Sequence, residues 1–100
     1  MSNKHTQGNW KVVEIHNNKT KSFQITIDDE HSVIATVHTN IYDERIEFEE
    51  SKANAKLIAA APELLEALQM LSVAIENGDV GDITDVLLTY GRPAINKATL

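Results

Sequence analysis

Ala53 to Leu68 reads A-N-A-K-L-I-A-A-A-P-E-L-L-E-A-L, a run of helix formers with a proline at its centre. Leu57, Ala61, Leu64, Leu68, Leu71 and Ile75 follow at spacings of 4, 3, 4, 3 and 4, which places them on one helical face. Pro62 has no amide hydrogen for the carbonyl of Ile58; its ring crowds that carbonyl and pushes Ala61 out of helical dihedrals. These constraints predict a short helix over 51–60, a tight corner, and a longer helix over 62–77. Pro62 then takes a favoured first-turn position, with Glu63 and Glu66 near the positive end of the dipole. Asn77-Gly78 is a stop, because glycine accepts the left-handed conformation. Two uses of the stripe are expected. Leu57, Leu64, Leu68, Leu71 and Ile75 dock on the apolar face of a sheet, and part of that stripe, extended by Ile58 and Leu65, pairs two chains as an oligomer interface.

The sheet is expected before residue 50. Trp10 to Ile15 is rich in strand formers and ends at the turn residues Asn17-Asn18. Phe23, Ile25 and Ile27 alternate with Gln24 and Thr26, the period of a strand with one buried face. Asp28-Asp29-Glu30-His31 is a polar turn and Val33 to Val37 a second strand, so 22–38 reads as a hairpin. Ile46 and Phe48 suggest a fourth strand around Arg45–Phe48. Ser51 marks the start of the helices. A last helix over 82–90 is expected to begin at Asp82 as N-cap, with Asp85 beside it. Gly91-Arg92-Pro93 is expected to stop it, leaving 92–100 as a tail.

The expected fold class is α+β: an antiparallel β-meander of three to four strands packed by helices over 51–60, 62–77 and 82–90. One domain spans 1–100, with its sheet part at 9–48 and its helical part at 51–91. A hundred residues bury only about two-thirds of their unfolded surface, so the stability margin is thin and self-association helps.

Charge divides the chain. Residues 1–27 carry four lysines against Glu14, for +3. Residues 28–50 carry eight acids against Arg45, for −7, and residues 51–100 add −2 to make −6 overall. An acidic middle disfavours a phosphate backbone, which needs clustered Lys and Arg, and suits a basic protein surface. Asp28, Asp29, Glu30, Asp43, Glu44 and Glu47 are therefore the expected partner-binding residues. These acids lack the mid-loop glycine and terminal glutamate of a calcium loop.

No catalytic constellation stands out. The chain has no cysteine, hence no thiolate nucleophile and no disulfide. His5, His16, His31 and His38 are scattered without metal-ligand spacing, so neither metal nor cofactor is expected. His16 and His38 approach only if their strands are neighbours. Asn18-Lys19-Thr20 matches a glycosylation sequon, but no secretory signal accompanies it. No apolar run reaches the roughly 18 residues of a membrane span. The expectation is a non-enzyme, and the absence of cysteine fits a reducing cytosol.

Gly8-Asn9-Trp10, Val33-Ile34-Ala35-Thr36-Val37 and the Ala53–Leu68 run together resemble a group of small proteins encoded by tailed phages and prophages. The resemblance covers roughly 5–76. Those proteins typically open on a His-Thr-Pro-Gly-Pro-Trp-like segment, and His5-Thr6-Gln7-Gly8-Asn9-Trp10 lacks both prolines. The resemblance implies a phage accessory protein, made in the bacterial host cytoplasm, that inhibits a host defence or regulatory protein in the manner of an anti-CRISPR. The alternative is a structural or assembly component that oligomerises through its leucine-rich helix.

Overall fold

Three short strands form in the first half of the chain, where the sequence asks for a sheet. The computed structural model describes residues 4–16, 21–27, 32–38, 44–78 and 80–100, with side chains of 44–47 excepted. β1 (Lys11–His16), β2 (Lys21–Thr26) and β3 (Val33–His38) form one antiparallel sheet in the order β1-β2-β3. The turns expected at Asn17-Asn18 and Asp28–His31, and the sequon at Asn18–Thr20, lie outside the described residues.

β2 is the central strand and carries the core. Phe23 sits between Glu14 and Val37, and Ile25 between Val12 and Ala35. Both are buried, as the period-2 pattern requires. Thr26 breaks the alternation by being buried as well. A bulge explains it: pairing steps from Ile25↔Ala35 to Thr26↔Val33, so Ile34 is passed over and the strand turns locally.

α1 (Glu44–Ala59) begins seven residues earlier than the helix expected over 51–60, and the fourth strand at Arg45–Phe48 does not form. Two apolar residues at period 2 are a weak signal, and no Gly, Pro or Asn separates them from the helix formers that follow. Ser51 is consequently an interior residue of α1. Its spacing to Phe48 and Ala55 puts all three on one face. Phe48 meets Phe23 with ring centroids 5.4 Å apart, and Lys21 Nζ stands 5.1 Å over the Phe48 ring. Ser51 Oγ donates to the His38 carbonyl at 3.3 Å, which ties the helix to the end of β3.

The chain divides into two compact units, Met1–Ala55 and Lys56–Leu100. In the second, α2 (Ala61–Asn77) starts with Pro62 in its first turn, so the proline separates two helices. Gly78 closes α2 in the left-handed conformation at φ 69°, its N–H donating to the Ile75 carbonyl at 3.0 Å. α3 (Val80–Val86) begins before Asp82, which therefore lies in the first turn instead of capping it.

Gly91-Arg92-Pro93 does not stop the chain. A π-helical turn, Leu87–Gly91, leads directly into α4 (Arg92–Thr99), so the expected tail is helix. Gly91 keeps right-handed dihedrals (φ −69°, ψ −53°). The Arg92 N–H reaches back to the Leu87 carbonyl, five residues away. That wider register gives Pro93 a helix start where it needs no N–H and spares it the clash a continued α-helix would impose.

Candidate protein-binding surface

The inner face of α2 is built from small side chains. Ala60, Ala67 and Ala74, seven residues apart, are all buried, and Glu63, Leu64 and Leu71 lie half-buried beside them. α4 repeats the device, with Gly91, Ala94 and Ala98 buried at spacings of three and four. Helices that meet through alanine and glycine approach closely. An ion pair crosses this packing: Lys97 Nζ donates to Glu63 Oε1 at 2.7 Å, both side chains about two-thirds covered. Glu63 Oε2 is buried with no hydrogen-bond partner among the described residues. Lys97→Met leaves that carboxylate without its cation and is expected to cost about 1 kcal/mol. The urea midpoint of the variant against the unaltered chain measures it, and an unchanged midpoint would show the pair to be idle.

The outer face carries the large apolar side chains. Leu57, Leu68 and Ile75, members of the expected stripe, are 54%, 63% and 61% exposed. Only Leu64 and Leu71 turn partly inward. The cause is a choice between two faces at similar helical spacing: burying the alanines at 60, 67 and 74 rotates the leucine line outward. Ala61, Leu65, Leu68, Ser72 and Ile75 then form an exposed line at spacings of 4, 3, 4 and 3. Met70 and Val73 are exposed elsewhere on α2, and Val80, Leu87, Leu88, Ile95 and Leu100 follow in the same unit. Among the described residues of the first unit, Val33 alone is a well-exposed large apolar residue.

Leu65, expected at an oligomer interface, lies on this outer line at 40% exposed, and Ile58 is half-buried near the end of α1. Leu68 and Ile75 belong to the expected stripe, whereas Ser72 was not expected there; the alanine repeat beside the leucines is the signal that places it. Of the acidic candidates, Glu44 and Glu47 fall in the first two turns of α1, their side chains outside the described residues. Asp28, Asp29, Glu30 and Asp43 lie outside the described residues altogether.

His16 and His38 sit on β1 and β3, which β2 separates, so their strands are not neighbours. His16 Nε2 lies 3.2 Å from Glu14 Oε1 at the exposed surface. His5 packs edge-on to Trp10, whose indole N–H donates to the Thr6 carbonyl at 3.0 Å. His31 lies outside the described residues. Among the described residues no group of His, Asp and Glu is placed to hold a metal ion. Among them, too, no single helix is long and apolar enough to cross a membrane.

These features define a small α+β protein with a three-stranded meander and a helical unit that turns leucines outward. A family model described as Salmonella phage P22 protein Y8K6 matches residues 1–99, and the chain belongs to that family. It is a small phage-encoded protein, and the match runs past residue 76, through the helices that the sequence resemblance left out. No curated protein and no solved structure matches the chain.

Proposed function

We propose that this phage protein is a non-enzymatic binding protein that works inside the bacterial host by occupying a host defence or regulatory protein, in the manner of an anti-CRISPR. The observation that carries the reading is the exposed apolar surface of Lys56–Leu100. Soluble monomers rarely leave so many large apolar side chains in water, and those that do use them for contact. The acidic segment 28–50 adds the electrostatic part. A net −7 over that stretch draws in a basic partner, speeds encounter and makes the complex salt-sensitive.

The test is capture of the host target by the full chain, followed by reversal of Asp28, Asp29, Asp43 and Glu44 to lysine. Binding at low salt should weaken at least about tenfold, roughly 1.4 kcal/mol. Targets that survive the reversal unchanged would remove the acidic contribution. A second reading, an assembly component acting through the leucine-rich helix, is favoured by the outer line of α2.

A further inference from the structure

We draw no further inference here: the strongest candidate, the exposed apolar line of α2 through Leu65, Leu68 and Ile75, belongs to the surface already read as a contact face, and nothing in the structure shows what covers it.

Discussion

Phe23→Ala is expected to cost about 3–5 kcal/mol and to leave the N-terminal unit largely unfolded at physiological temperature. Phe23 is 1% exposed, and the largest fully buried side chains of the described residues are Phe23, Ile25 and Thr26, all on β2. Removing the ring empties the space between Glu14 and Val37 and leaves Phe48 without the partner 5.4 Å away that seats α1 on the sheet. Few large neighbours remain to relax into the void, so the cavity cost adds nearly in full to the lost transfer energy. A domain of this size holds only about 5–15 kcal/mol in total, and a chain with so few large buried residues belongs near the lower end. Urea unfolding followed by tryptophan fluorescence measures the loss. A cost below about 1 kcal/mol would show that the Phe23–Phe48 pair is not the core of this unit.

The strands were legible because β2 alternates cleanly, and the break at residue 60 because a proline has few places to sit in a helix. Gly78 was legible for the same reason, a residue type with one favoured use. Four features resisted. The first turn of α1 carries Ile46 and Phe48 at a strand's period, and only the absence of a breaker before Ser51 argues against a strand. Gly91 and Pro93 read as a stop because their preferences are local, whereas the π-helical turn that carries the chain past them is a matter of carbonyl register that sequence does not display. The acidic candidates were legible as charge alone, and charge says which kind of surface would be attracted without saying where on the fold the carboxylates meet. The exposed line of α2 lay hidden in plain sight: leucine spacing announced an apolar face of α2, but the alanines at 60, 67 and 74 offered a competing one.

That competition makes two adjacent residues a sharp test. Ala67→Leu is expected to destabilise the helical unit by about 2 kcal/mol, lowering the melting temperature by roughly 10 °C. Ala67 is 4% exposed on the face of α2 that packs within the second unit, and three added carbons there force the helices apart. Leu68→Ser, one position further on, removes a larger side chain that is 63% exposed. Its effect on the isolated monomer should stay within about 0.5 kcal/mol, since it breaks no packed contact. Both variants are compared by thermal unfolding at concentrations low enough to keep the chain monomeric, because self-association through Leu68 would otherwise add a concentration-dependent term to the second. Hydropathy alone predicts the opposite order, with the leucine as core and the alanine as filler. If Leu68→Ser proves the costlier change in the monomer, the leucine line is the buried face of α2, and its outward placement has to be abandoned.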